Sequence, residues 1–390
     1  MELAGRMARL GTESAFEVLA RARALEAEGR AIIHLEIGEP DFDTPEHIRE
    51  AAKEALDRGE THYVPAPGIP ALREAVAAFL ERTGRLRTTA DRVIVTPGAK
   101  PIMFFTILAL CDEGDEVVYP DPGFPMYESI AAFAGATPVP LPLREEHGFR
   151  PDPDELRSLV TDRTRLLILS SPHNPCGSAL TREELEAVAE VALRHDLVVL
   201  SDEVYWAIAY DRPHASILDL DGMAERTVLL DGWSKTFAMT GWRLGFGVFP
   251  PALVEPVTRL VINSVSCTSA FSQHAAIAAL TGPWEPVERM VAEFRRRRDA
   301  IVEGLSAIPG ISCLRPEGAF YVFPSVKELG VPSKRVEEHL LEHAGVACLS
   351  GTAFGRHGEG YLRFSYANSV ENIERALAAV RAALPEVARV

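Results

Sequence analysis

Lysine is scarce in this chain. Of 40 basic residues only five are lysine (Lys53, Lys100, Lys235, Lys327 and Lys334), and the other 35 are arginine. Arginine stays protonated, whereas an amine can lose its proton and attack a carbonyl, so each lysine raises a question about amine chemistry. Lys53, Lys327 and Lys334 sit in charged, helix-like surroundings and read as surface residues. Lys235 instead lies among small and apolar residues in "DGWSKTFAMTGWRLG", with Arg243 eight positions on. Cysteine is sparse too. Cys111, Cys176, Cys267, Cys313 and Cys348 form no CxxC pair, so neither a disulfide framework nor a zinc site is supported, and buried or half-buried thiols are expected. No apolar run approaches a membrane span and the N-terminus has no signal-peptide core, so a cytoplasmic protein is expected. Positive charge is in deficit, at a net −16. That balance argues against nucleic-acid or membrane partners and requires any anion site to be a local pocket.

What the chain does have is 390 residues, 47% hydrophobic and 25% charged, enough for two domains. From about residue 90, short β-branched runs alternate with amphipathic segments. The runs are "RVIVT" (92–96), "DEVVYP" (115–120), "TPVPLPL" (137–143), "RLLILSS" (165–171), "DLVVLSDE" (196–203), "TVLLD" (227–231) and "RLGFGVF" (243–249). Continuous apolar runs separated by helical patterns predict an α/β fold, a mostly parallel seven-stranded sheet between helices. Helices are expected over 71–82, 99–110, 181–194 and 283–307. The last carries an "RRRR" run, which reads as a solvated helix face joining two domains. After residue 310, short strands ("GISCL", "AFYVFP", "GVACLS", "YLRFSYA") interleave with helices and predict a smaller α+β domain. The expected division is an N-terminal segment 1–45 joining the small domain, a large domain 46–285, and a linking helix with the small C-terminal domain 286–390.

Ligands in open α/β sheets sit beyond the carboxyl ends of the strands, so the residues following each run matter most. "PGAK" follows the first, and the amides of Gly98, Ala99 and Lys100 there either face a phosphate from a helix N-terminus or simply form a turn. "PHNPCG" follows the fourth, where Asn174 offers an amide or shapes a turn. Asp202 and Tyr205 end the fifth. A buried carboxylate needs a partner, either a structural arginine or a ligand cation. "GWSK" follows the sixth, and Arg243 precedes the seventh. Pyridoxal 5′-phosphate would use all of these groups at once: a lysine for its aldehyde, amides and an arginine for its phosphate, and an acid for its ring nitrogen.

With these motifs the sequence resembles the class I/II aminotransferases of the fold-type I pyridoxal-phosphate enzymes, in particular the bacterial aspartate-aminotransferase-like branch. The resemblance covers nearly the whole chain. It is carried by "LEIGEPDFDTP" (35–45), "YVPAPGIPALREA" (63–75), "TPGAK" (96–100), "SPHNPCG" (171–177), "SDEVY" (201–205), "GWSKTFAMTGWRLG" (232–245) and "YLRFSYA" (361–367), in family order.

The resemblance implies a role for each site residue. Lys235 looks like the lysine that bonds the cofactor aldehyde and then shuttles the substrate proton, and Asp202 like the partner of the ring nitrogen. Tyr205 and Asn174 would bond the ring oxygen, and Phe124 would stack on the ring. Arg243 and the amides around Gly98, Ala99 and Lys100 would hold the phosphate. Gly232 stands where many relatives have a phosphate-binding serine, which leaves Ser234 as the substitute. Tyr63 resembles the tyrosine that reaches the neighbouring subunit's phosphate, implying a homodimer with shared active sites. Arg363 resembles the arginine that takes the substrate α-carboxylate, with the backbone at Gly38 closing the site.

For the substrate side chain, Lys100 matches a lysine that engages a distal carboxylate, whereas Phe16 at the expected entrance favours apolar or aromatic side chains. An enzyme using glutamate or aspartate as donor and a second amino acid as partner reconciles them. The alternative activity on the same fold is a β-lyase or related elimination enzyme. A ligand-sensing regulator with an added N-terminal DNA-binding domain is not expected, since the first motif begins at residue 35.

Overall fold

The seven apolar runs form one sheet, buried on both faces except along the edge strand Thr137–Pro142, whose first residues are exposed or half-buried. The structure is a computed structural model and describes residues 2–387. A short first strand, β1 (Ile33–His34), precedes the sheet strands β2 (Val93–Thr96), β3 (Glu116–Asp121), β4 (Thr137–Pro142), β5 (Thr164–Ser170), β6 (Val198–Asp202), β7 (Thr227–Gly232) and β8 (Gly245–Val248). Their order across the sheet is β2-β8-β7-β6-β5-β3-β4. All neighbours are parallel except that β8 runs antiparallel to both β2 and β7.

Alternate residues of β2, β3, β5, β6 and β7 enter different cores, which is why these runs are continuously apolar rather than alternating. Ile94, Val117, Ile168, Leu200 and Leu230 pack against the helices Lys100–Leu110, Met126–Ala134 and Pro251–Ser264. On the opposite face, Val93, Val95 and Leu229 meet the helices Glu46–Asp57, Pro70–Arg82 and Ala270–Thr281, and Leu167 and Val199 meet Arg182–Arg194. The last helix begins with a reciprocal capping box between Thr181 and Glu184, which fixes its start just after the β5 loop.

The C-terminal part forms two small sheets. β9 (Tyr321–Val322), β10 (Val346–Ala347), β11 (Leu349–Ser350) and β12 (Leu362–Ser365) follow in chain order, with β11-β12-β9 antiparallel and β10 parallel to β1. Through β1 the "AIIHLEIG" segment is stitched to the C-terminal part. "GISCL" contributes only an isolated bridge, Ser312 to Ser325. Phe294, Phe320, Phe364 and Tyr366 centre this second core.

The helix Glu285–Ser306 corrects the reading of "RRRR" as a solvated face. Arg295 and Arg296 are exposed, but Arg297 and Arg298 are buried. Arg297 pairs with Asp41 at 2.6 Å and Glu293 at 2.9 Å, and Arg298 with Asp211 at 2.6 Å and Asp299 at 2.9 Å. Four consecutive helical residues span a full turn, so they cannot share one face. Two of them turn inward and tie the helix to carboxylates of the N-terminal segment and of the sheet-bearing part. The cysteines are free, with Cys111, Cys176 and Cys348 buried and Cys267 and Cys313 half-buried. No helix among the described residues is long and apolar enough to cross a membrane.

Candidate active site

A cavity of about 520 Å³ opens at the carboxyl ends of the parallel strands, between the large sheet and the C-terminal part. Its walls gather Phe16, Gly38, Ala99, Lys100, Phe124, Asn174, Asp202, Tyr205, Ser234, Lys235, Arg243 and Arg363. Gly98 lies behind this wall, against Arg243. Of the residues singled out in the sequence, Tyr63 alone lies away from the cavity, 90% exposed to solvent. Tyr127, Tyr321, Phe354 and Glu13 line it as well and were not singled out.

The antiparallel direction of β8 explains how Arg243 joins this edge. Thr96 and Gly232, at the carboxyl ends of β2 and β7, both pair with Gly245 at the start of β8. A residue preceding β8 therefore meets residues that follow its neighbours. Arg243 makes this turn in the left-handed region, at φ 54°, a conformation that costs a non-glycine residue about 1 kcal/mol. The approach is close: a Cβ on Gly98, itself at φ +85°, would lie 2.3 Å from the Arg243 guanidinium. One on Gly245 would lie 2.4 Å from the Ala99 nitrogen. Both positions admit only glycine in this packing.

Lys235 sits in the one-turn helix Trp233–Thr236 directly after β7. Its Nζ donates to the Gly38 carbonyl and lies 5.7 Å from the Phe320 ring centre. Burial lowers its pKa to about 8, with Arg363 and Lys100 adding to the shift and Glu39 and Glu13 opposing it.

Asp202 ends β6 and is 8% exposed. Its partner is not an arginine: Tyr127 donates to Oδ2 at 2.6 Å, and the Val204 N–H to Oδ1 at 3.3 Å. Burial raises its pKa to about 6 against those two hydrogen bonds. The only signal for Tyr127 in the sequence is its place three residues after Phe124, one turn along. Tyr205 shares a hydrogen bond of 2.7 Å with Tyr321, whose ring lies 4.5 Å from the Arg363 guanidinium.

Arg363, in the middle of β12, is 4% exposed and has no carboxylate partner among the described residues. It donates to Asn174 Oδ1 at 3.3 Å and to the Glu36 carbonyl, while its Nε has no partner. Phe354 covers it at 4.8 Å. The segment carrying Phe354 is pinned to the Phe124 loop, because Gly123 N–H donates to the Phe354 carbonyl at 2.7 Å and His357 bonds Asp121 at 2.9 Å. Arg243 donates to the Thr240 carbonyl at 2.9 Å and also lacks a carboxylate partner among the described residues. Lys100 differs, being ion-paired with Glu13 at the cavity mouth. The described residues hold no cluster of acidic, histidine or cysteine side chains fit for a metal.

A profile described as "Aminotransferase class I and II" matches residues 30–380. The chain belongs to the class I and II aminotransferases. It is 45% identical to the aspartate aminotransferase of Pyrococcus abyssi over 89% of its own length and 90% of that protein's. It is 44% identical to aromatic-amino-acid aminotransferase 2 of Thermococcus litoralis, over 91% and 92% of the two chains. The aspartate aminotransferase of Thermus thermophilus, solved with maleate, superposes with a TM-score of 0.94 at 38% identity, covering 98% of this chain and 100% of that one. This aminotransferase thus shares its α/β fold with that family, which uses pyridoxal phosphate. Its reaction moves an α-amino group from an amino acid to a 2-oxo acid.

Proposed function

We propose that the cavity binds pyridoxal 5′-phosphate and that the enzyme takes its amino group from glutamate or aspartate, with an apolar or aromatic amino acid as the second substrate of a ping-pong cycle. The observation that carries this reading is one cavity combining a buried amine, a buried carboxylate without a cation, and two guanidinium groups without carboxylates. The donor set fits the cofactor. Among the described residues Lys235 has an amine poised near neutrality, Asp202 lacks a positive partner, and neither Gly98 against Arg243 nor Gly245 against the Ala99 nitrogen leaves room for a Cβ.

In this reading the cofactor supplies an electron sink for the substrate α-carbon and a carrier for its amino group. The residues do the rest. Lys235 Nζ would hold the cofactor through its aldehyde, and its free amine would move the proton off the substrate α-carbon. Asp202, held by Tyr127 and the Val204 N–H, would accept from the ring N–H, and the positive charge of the ring would keep the carboxylate ionised. Tyr205 and the amide nitrogen of Asn174 donate to the ring oxygen, since Asn174 Oδ1 already accepts from Arg363. Phe124 covers the ring. The amides of Gly98, Ala99 and Lys100 open the helix Lys100–Leu110 toward the phosphate, with Arg243 and Ser234 beside it. Arg363 clamps the α-carboxylate through the N–H groups its neighbours leave unpaired, near the Gly38 backbone. Lys100 takes a distal carboxylate, and Phe16 at the mouth packs on apolar side chains.

Exposed Tyr63 would serve the cavity of a second copy, making the working unit a cytoplasmic homodimer. The division of the chain into 1–45, 46–285 and 286–390 belongs to the same reading. Absorbance of the cofactor-loaded protein tests it. Glutamate or aspartate added alone should convert the cofactor from its aldehyde to its amine form, and a 2-oxo acid should reverse the change. Release of pyruvate and ammonia without an acceptor would instead mean elimination.

A further inference from the structure

The cavity mouth holds an ion pair that amino transfer does not require. Glu13 stands at the N-cap of the helix Ser14–Ala27 but makes no side-chain capping bond. Its carboxylate is instead committed to the ammonium of Lys100, the first residue of the helix Lys100–Leu110 on the other side of the opening. The Glu13 side chain is 18% exposed and that of Lys100 49%, so the carboxylate is set into the wall and the ammonium forms the rim. The ammonium also lies 5.4 Å from the Phe124 ring centre, toward the interior. A lysine already carrying a carboxylate offers little net charge to an incoming anion. Arg363 and Arg243, by contrast, keep their charge open.

We propose that Glu13 is a specificity-determining residue. Its carboxylate occupies the position on Lys100 that the distal carboxylate of an acidic substrate takes. Glutamate or aspartate must displace Glu13 to gain that contact, whereas an apolar or aromatic substrate leaves the pair closed as a neutral wall beside Phe16. One cavity thereby accepts both classes by exchanging one carboxylate for another at Lys100. The penalty falls on the acidic class alone. This inference rests on the assignment of Lys100 to the distal carboxylate.

Glu13→Gln in the holoenzyme tests it, because glutamine keeps the shape and drops the competing charge. The ratio of kcat/KM for glutamate over that for phenylalanine should rise about fivefold, the ceiling for a partly exposed ion pair. The affinity of succinate relative to 3-phenylpropionate, measured by calorimetry, should move in the same direction. Lys100→Met should lower both ratios, and adding Glu13→Gln to it should change neither ratio further, because Glu13 acts on this discrimination through Lys100, while its influence on Lys235 is common to both substrates. Unchanged or lower ratios in Glu13→Gln, with Lys100→Met still discriminating against acids, would overturn the role of Glu13 and leave that of Lys100 intact. Ratios unaffected by Lys100→Met would overturn both.

Discussion

Asp202 and Glu203 are adjacent, both buried, and shifted in opposite directions. The Asp202 carboxyl faces the cavity and, among the described residues, is hydrogen-bonded only by a tyrosine hydroxyl and a backbone N–H, and burial raises it to about 6. Glu203 points the other way, where burial would also raise it. There His214 at 2.9 Å, Arg85 at 2.8 Å and Ser216 at 2.6 Å hold it down to about 2. Arg85 also bonds Asp231 at 2.6 Å and stacks on Trp206 at 4.3 Å. One carboxylate is fully paired and belongs to the scaffold. The other has no cation beside it among the described residues and faces the cavity, as the proposed cofactor reading requires.

Substitutions should separate the two regions, starting on the cavity side with the largest effect. Lys235→Arg keeps the positive charge but cannot release a proton, so steady-state turnover should fall by at least about 10⁴-fold with the thermal melt little changed. Turnover surviving in that variant would remove the amine from the chemistry. Arg85→Met strands Glu203 and Asp231, and urea unfolding should show a loss of about 3–5 kcal/mol. Because Glu203 lies below its ordinary value of 4.5, its stabilising contribution is complete above that pH and disappears as pH falls toward 2.

Asp202→Asn should do the reverse. Turnover should drop by about 10²–10³-fold, as for loss of one preorganised electrostatic contact. The ligand-free variant should nevertheless be more stable at neutral pH. With a folded pKa above the ordinary 3.8, Asp202 binds its proton better in the folded state, so its own contribution to wild-type stability falls as pH rises from 3.8 to about 6. Melting temperature against pH on ligand-free protein reads this directly, and a variant with the same slope as wild type would contradict it. Tyr127→Phe should have the smallest effect, roughly tenfold in turnover, the lower end for a hydrogen bond to a charged acceptor. It should also move the Asp202 step in that melting profile above pH 6, since the hydroxyl is what holds the carboxyl down.

Much of this was legible in the chain because strands buried on two faces leave continuous apolar runs, and ligand groups follow such runs. Lys235 was legible through its rarity and its apolar surroundings. Tyr127 was not, because an aromatic on an apolar helix reads as core until its hydroxyl is seen on Asp202. The "RRRR" run misled because charge alone suggests solvent. Only the helix phase and the carboxylates of Asp41 and Asp211 show which two arginines turn inward.

The residue order alone was enough for the seven strands of the large sheet and for the family, and it singled out Lys235, Asp202, Arg243 and Arg363 as candidates for the chemistry. Folding was needed to set the direction of β8, which brings Arg243 back beside Gly98, and to send the neighbours Asp202 and Glu203 into opposite environments. It was also needed to bring Glu13 across to Lys100. Sequence carries local preference and side-chain chemistry. Partners distant in the chain, and the pKa values they impose, exist only once packing has removed water and fixed their separation.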